Sequence, residues 1–467
     1  PAASPAAPPP RAPRAPVAPK PASETSFEEQ FGTRWVVWVG GLALALGGIF
    51  LVRYSIEAGL IGPGLRVFLG GLLAALLVAA GEWMRRKESK SDVAGVPTAH
   101  IPSILTAAGT TVAYATVYAA YALYGFLSPA AAFIALGIVA LATLAAALLH
   151  GPMLAGLGLI GAYVTPALVS SEAPNYWALY LYLAVVTAAA FTLARARLWR
   201  WLAITAVVFG VFWMLPGIDD FARNSLIPHV FHGVVGYALA AALIVSGLFY
   251  GPPAQPSKVD GISSGALAGY LLAAALLVVA RNHEAPALYA FAILCVATIA
   301  IAWRVEAATG AVPAAAILAA LTIAQWAVEV RIASPLASPG PVAGNIPELP
   351  RAAFGSHLWL GGALAVLFGA SGFLAQERTK STTQAILWSA SAVIAPIAIM
   401  AALYYRIAVW ERSIPFAGVA VALAALFAYA TEVLSKRSAK PGSASAAAIF
   451  ATGTIIALAL PFTFALE

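Results

Sequence analysis

RWVVWVGGLALALGGIFLVRYSIEAGLIGPGLRVFLGGLLAALLVAAGEWMRRK, residues 34–87, decides what kind of molecule this is. It holds two uncharged apolar runs, 35–52 and 67–81, separated by a short charged turn and closed by Arg85, Arg86 and Lys87. A helix needs ~20 apolar residues to cross the hydrocarbon layer, or somewhat fewer where flanking side chains reach the headgroups. The pattern is that of a helical hairpin through a membrane with a basic flank in water. Neither run alternates apolar and polar residues, so a pair of barrel strands is excluded.

The same pattern recurs along the chain. Uncharged apolar windows fall at 35–52, 67–81, 101–127, 130–149, 153–169, 176–194, 201–217, 230–250, 262–280, 285–303, 307–328, 357–376, 384–405, 413–431 and 446–466. A backbone in lipid must satisfy its own hydrogen bonds, so each window is read as a helix. The fifth and seventh carry the weakest signal. Of the 467 residues, 61% are hydrophobic and 10% charged; soluble domains carry about 25% charged residues. A disordered chain, a disulfide scaffold and a cytosolic enzyme are thereby excluded. The expected fold is an all-α, polytopic integral membrane helix bundle of about fifteen transmembrane helices, with a range of 13 to 15.

Charge sets the orientation. Arg53, Arg66, Arg223, Arg281, Arg331, Arg351, Arg406 and Arg412 lie between windows on one side, and the other 18 of the 26 Lys and Arg residues fall on the opposite side. Basic residues favour the cytoplasmic face, so the amino terminus is expected to be cytoplasmic. Trp35, Trp38, Trp83, Trp177, Trp199, Trp201, Trp303, Trp359 and Trp410 sit at or near window ends, as an interfacial aromatic belt requires. The net charge of +7 punctuates apolar runs instead of collecting on a soluble module. Membrane lipids, and not nucleic acid, are the partners this implies.

Residues 1–30 form a Pro/Ala-rich linker, expected to be disordered, ahead of a multi-pass domain at 31–467. Because the chain starts at Pro1 and stops at Glu467 directly after an apolar run, we expect a fragment of a longer polypeptide. Its linker or upstream region would recruit other envelope proteins. The lone cysteine, Cys295, excludes an internal disulfide and a multi-cysteine metal site.

The opening stretch, with its RYSIE and GPGLR segments, and GLGLIGAYVTPALVSSEAPNYWALYLYLAVVTAAAFTLARARLWRWLA from Gly156, resemble the bacterial predicted membrane proteins catalogued as domain of unknown function 2339. The resemblance covers roughly the first 200 residues. It implies a long polytopic protein of the bacterial inner membrane, often with an amino-terminal coiled-coil region and further helices. It brings no activity and no catalytic residues with it.

Two places could hold chemistry. In the first outer loop, Arg53, Tyr54, Glu57 and Arg66 bracket a turn signal, and Arg53 and Glu57 are i,i+4 neighbours if the helix continues. Arg66 would then be left for an anionic group such as a phosphate or carboxylate; alternatively, all four are interfacial anchors. In a later outer segment, Asp219 and Asp220 precede His229 and His232, two histidines at i,i+3 that share a helix face. Two histidines with an aspartate could ligate a metal, yet no HExxH-like motif surrounds them, and no metal or cofactor is expected. Glu82 and Glu432 lie one helical turn from cations, and Glu329 lies near Gln325 beside Arg331.

The windows themselves contain no charge; their polarity is limited to groups such as Thr110, Thr111, Thr165, Ser371, Ser389 and Ser391. A charge held in mid-membrane usually marks ion coupling, so a proton-relay pump is disfavoured. Prolines 166, 396 and 461 could break helices and free carbonyls. There is no GxxxxGK[ST] loop, GxSxG elbow or paired CxxC, and no catalytic residue is assigned. Three functions stay open: a transporter or flippase-like protein for an apolar or lipid-linked envelope substrate, a membrane scaffold that recruits partners through its amino-terminal region, and a membrane-embedded transferase.

Overall fold

A computed structural model describes residues 62–88, 101–169, 175–215, 225–333, 354–408, 410–437 and 440–465, together with positions 39, 43, 46, 47, 50 and 54. The described α-helices are α1 (Pro63–Glu88), α2 (Ile101–Ala122), α3 (Pro129–His150), α4 (Pro152–Leu168), α5 (Tyr176–Arg197), α6 (Arg200–Phe212) and α7 (Leu226–Leu243). They continue with α8 (Gly261–Ala280), α9 (Ala285–Arg304), α10 (Ala311–Ala333), α11 (Gly355–Ala375), α12 (Thr382–Ala408), α13 (Ile414–Ser435) and α14 (Ser443–Ala465). A 3₁₀ turn, Glu306–Ala308, leads into α10. No strand occurs among the described residues. The protein is an all-α polytopic membrane bundle, and α1 to α14 fall on the second to fifteenth apolar windows.

Among the described residues, eleven helices are long and apolar enough to cross a membrane. The two weakest windows yield the two short helices, α4 with 17 residues and α6 with 13. At 1.5 Å per residue, α6 spans only ~20 Å. It was expected to run to residue 217 but ends at Phe212, because the next residues leave the helix before Pro216, whose ring disfavours helical backbone in the residue ahead of it. Trp213 then turns its indole N–H onto the Tyr163 carbonyl at 3.0 Å. Helix α2 has the length but not the hydropathy of a span. Its hydroxyls on Thr106, Thr110 and Thr111 donate back to carbonyls of their own helix.

The chain divides into two units, residues 1–69 with 93–101, and residues 70–92 with 102–467. In the first, the Arg66 N–H bonds to the Gly62 carbonyl at 3.1 Å and closes the opening turn of α1. In the second, glycines let backbones approach closely where lipid gives no hydrophobic drive. The paired glycines divide this labour. A Cβ on Gly70 would meet the Thr116 hydroxyl at 2.6 Å and one on Gly361 would meet Leu403 at 3.2 Å, whereas Gly71 and Gly362 face open space. The main core runs through α3 to α12 around the fully buried Tyr180, Phe191, Tyr270, Phe291 and Phe368. A smaller core of Phe427 and Phe450 joins α12, α13 and α14.

Polar contacts in the larger unit tie the predicted inner basic ends to one end of the bundle. Glu82 accepts from Arg85 and Arg86 at 2.7 and 2.8 Å and lies 3.9 Å from His150. The Arg197 guanidinium donates to the Leu148 carbonyl, and Arg195 donates to that of Tyr250. Asp260 pairs with Arg200 at 3.0 Å, Glu306 with Lys380 at 2.6 Å, and Glu377 with Arg437 at 3.1 Å. The tryptophans sort as an interfacial belt would: Trp83, Trp177, Trp201, Trp303, Trp359 and Trp410 are exposed, while Trp388 is buried in the packed interior.

Cys295 sits within α9 and is fully buried. A water-soluble maleimide should therefore leave it unmodified in the detergent-solubilised protein and label it to completion after denaturation. Mass spectrometry showing ready labelling of the folded protein would contradict the packing of α9.

Candidate functional site

Opposite the basic end, α8 stops at Ala280 and the chain reverses into α9 through Arg281, Asn282, His283 and Glu284. Asn282 and His283 both adopt left-handed backbone, with φ of 49° and 61°. That conformation costs roughly 1–2 kcal/mol for a residue with a Cβ, and such strain persists where the surroundings hold it. Here backbone bonds hold it: the His283 N–H donates to the Val278 carbonyl at 2.9 Å, and the Glu284 N–H to that of Arg281 at 3.0 Å. As a result two ionisable side chains two residues apart are both buried, Arg281 at 3% exposure and His283 at 6%, each in its own neighbourhood.

Arg281 turns toward the start of α7 and lies within electrostatic reach of Tyr180 on α5. Its Nη2 donates to the Ser225 hydroxyl at the start of α7. The Ser225 carbonyl in turn lies 2.6 Å from His229 Nδ1, which must carry its proton for that bond to form. One turn along, His232 Nε2 donates to the Gly210 carbonyl of α6 at 2.8 Å. Between the two imidazoles lies the Tyr180 ring, edge-on to His229 at 4.9 Å and stacked on His232 at 4.7 Å. Tyr180, His229 and His232 are buried with Arg281. Among the described residues no carboxylate lies within ion-pair distance of Arg281, and its Nε–H, also buried, meets no acceptor. A recess beside His229, walled by Met214, Val230, Gly233, Leu277 and Leu294, offers about 10 Å³, space for one water.

His283 enters a chamber made by α10 and α11. Its ring lies flat on Trp326, with centroids 4.9 Å apart and planes 7° apart, and His357 packs on the same indole at 4.4 Å. Its Nδ1 stands 3.5 Å from the Glu329 carboxylate, which also accepts from Gln325 at 2.9 Å. Burial holds the His283 imidazole below its ordinary pKa, with Glu329 acting in the opposite direction. Arg281, which no protein environment deprotonates, is the fixed positive charge of this turn. His357 donates from Nε2 to the Ile323 carbonyl at 3.0 Å, and the charge of Arg406 reaches it from the end of α12.

Of the residues singled out from sequence, Arg53, Glu57, Asp219 and Asp220 lie outside the described residues. Tyr54 is exposed, and Arg66 is half-buried on the first turn of α1. His229 and His232 do share a helix face, but that face meets Tyr180, and one nitrogen of each ring goes to a backbone carbonyl. Among the described residues there is no group of three His, Cys, Asp or Glu suited to a metal. Arg281 and His283 escaped sequence reasoning, although Arg-Asn-His-Glu between two apolar helices carried a usable signal: a turn that short gives its side chains little freedom to choose water.

Residues 32–340 match the family model described as "Predicted membrane protein (DUF2339)". The match reaches well past the first 200 residues and takes in Tyr180, Ser225, His229, His232, Arg281 and His283. No curated protein and no solved structure matches the chain.

Proposed function

The chain belongs to that family of predicted membrane proteins, and on that premise we propose a transporter or flippase-like role in the bacterial inner membrane, with the basic end of the bundle in the cytoplasm. Its substrate would be an apolar or lipid-linked envelope molecule, and its partners the membrane lipids and, through the upstream region, other envelope proteins. One observation carries this reading: the turn after α8 buries both Arg281 and His283, with His229 and His232 buried near the first and His357 buried near the second. Ionisable groups inside a membrane bundle are expensive and mark substrate or ion pathways. A scaffold needs no such groups in its interior.

The test is leaflet exchange in reconstituted vesicles. With fluorescent phosphatidylglycerol as probe and dithionite as the outside quencher, wild-type protein should speed exchange at least tenfold over empty vesicles, and Arg281→Gln should remove most of that gain. If wild-type vesicles match empty ones, and removal of residues 1–30 releases co-purifying envelope proteins, the scaffold role takes its place.

A further inference from the structure

We propose that Arg281 is the seat of an anionic phosphate group that supplies the counter-charge its guanidinium does not meet among the described residues. The proposal deepens the transport reading above by naming the chemistry of the head group, and it rests on that reading only for where the phosphate comes from.

Three observations carry it. First, the guanidinium is 97% buried, has the Ser225 hydroxyl as hydrogen-bond partner, and leaves a buried Nε–H with no acceptor. A guanidinium has five donors in a rigid fork that matches an oxyanion, and a buried charge left unpaired is strongly destabilising. Second, the neighbouring groups do not answer that charge. Ser225 is neutral, His229 presents a proton to a carbonyl, and no described Asp or Glu lies within ion-pair reach. The carboxyl end of α8 offsets only part of it, since a helix terminus carries about half an elementary charge. Third, Arg281 is the residue after the last turn of an apolar, span-length helix, so it stands at headgroup depth. Phosphate is the abundant anion at that depth. A phospholipid headgroup and free phosphate present the same oxygens, and the experiment separates them.

The full chain in non-ionic detergent would be titrated with inorganic phosphate, with short-chain phosphatidylglycerol and with short-chain diacylglycerol at constant ionic strength, following the thermal midpoint. Phosphatidylglycerol should raise the midpoint saturably and diacylglycerol should not. A matching response to inorganic phosphate identifies the free ion as sufficient, and no response to it identifies the lipid headgroup. Arg281→Lys, which keeps the charge and so the better chance of folding, should weaken the response about tenfold or more, because the bidentate fork is lost. Arg281→Gln should abolish it, and Lys380→Gln at the other end of the bundle should leave it intact.

The seat is refuted if neither phosphate compound shifts the midpoint, or if Arg281→Lys responds as wild type does. It is also refuted if Asp219→Asn with Asp220→Asn lowers stability as Arg281→Gln does and the combination is no worse, because the chain's own carboxylates would then be the counter-ion. Phosphate binding without leaflet exchange leaves the seat standing and removes the transport reading. Leaflet exchange without any midpoint response to either phosphate compound does the reverse.

Discussion

Gly372→Leu should leave almost no monodisperse protein, while Gly362→Leu on the same helix should fold as wild type does. The difference lies in what a side chain would meet. A Cβ on Gly372 would stand 2.4 Å from the Trp388 carbonyl oxygen and 2.6 Å from Ala392 Cβ, and at Gly362 nothing lies within 4 Å. The obstacle at Gly372 includes backbone, which cannot swing aside as a side-chain tip can. Trp388 and Ala392 are themselves buried, so α12 has no slack in that direction. One turn earlier, Gly369 faces Pro396 Cγ at 3.5 Å, which makes this stretch of α11 a continuous close approach to α12. Pro396 has no N–H for the Ala392 carbonyl, so α12 already lacks one internal bond at the point of contact. Overpacking commonly costs about 1–3 kcal/mol, and four added carbons against a carbonyl should reach or pass the top of that range. Fluorescence-detected size exclusion reads the outcome directly. A Gly372→Leu protein as monodisperse and as heat-resistant as wild type would show that α11 and α12 do not meet here.

The second large effect concerns sidedness. Green fluorescent protein fused within residues 89–100, after Leu198 or after Arg378 should fluoresce, and alkaline phosphatase fused after Asn282 or Arg412 should be active, each reporter failing at the other set. Two independent arguments lead to this outcome. The distribution of basic residues assigns these loops to opposite sides. The polar contacts of Glu82, Arg197, Asp260, Glu306 and Glu377 then tie the basic loops to one end, with no use of the charge rule. A missed or surplus crossing anywhere between two fusion points would invert one reporter relative to the other. Finding the segments after Arg86 and after Arg197 on opposite faces would undo both arguments together.

The helices were legible because a bilayer imposes its thickness on the chain, and an uncharged run of the right length has few other uses. The same logic flagged α4 and α6, whose apolar signal was weakest and which prove to be the shortest. The site was legible only in part. His229 could be picked out as a polar residue at a span end, but its neighbour Tyr180 lies 49 positions away on another helix, and periodicity within one helix says nothing about which face of it meets a partner. Arg281 was counted among the outer cations because the charge rule records side and not burial. Whether an arginine at a helix end reaches water or turns inward depends on the helices that surround it, and those contacts are set by tertiary packing. The left-handed pair Asn282 and His283 shows the same limit, since neither is glycine and nothing local demands that backbone.

One consequence concerns the electric field across the membrane. Its described ion pairs stand at the two ends, and the apolar windows between them carry hydroxyls in place of charges. A field does work only on charge that travels through it, about 2.3 kcal/mol per elementary charge per 100 mV. Rearrangements that keep the end groups at their own levels therefore move almost no gating charge. Any voltage sensitivity in the reconstituted protein would then count the valence of whatever is being carried.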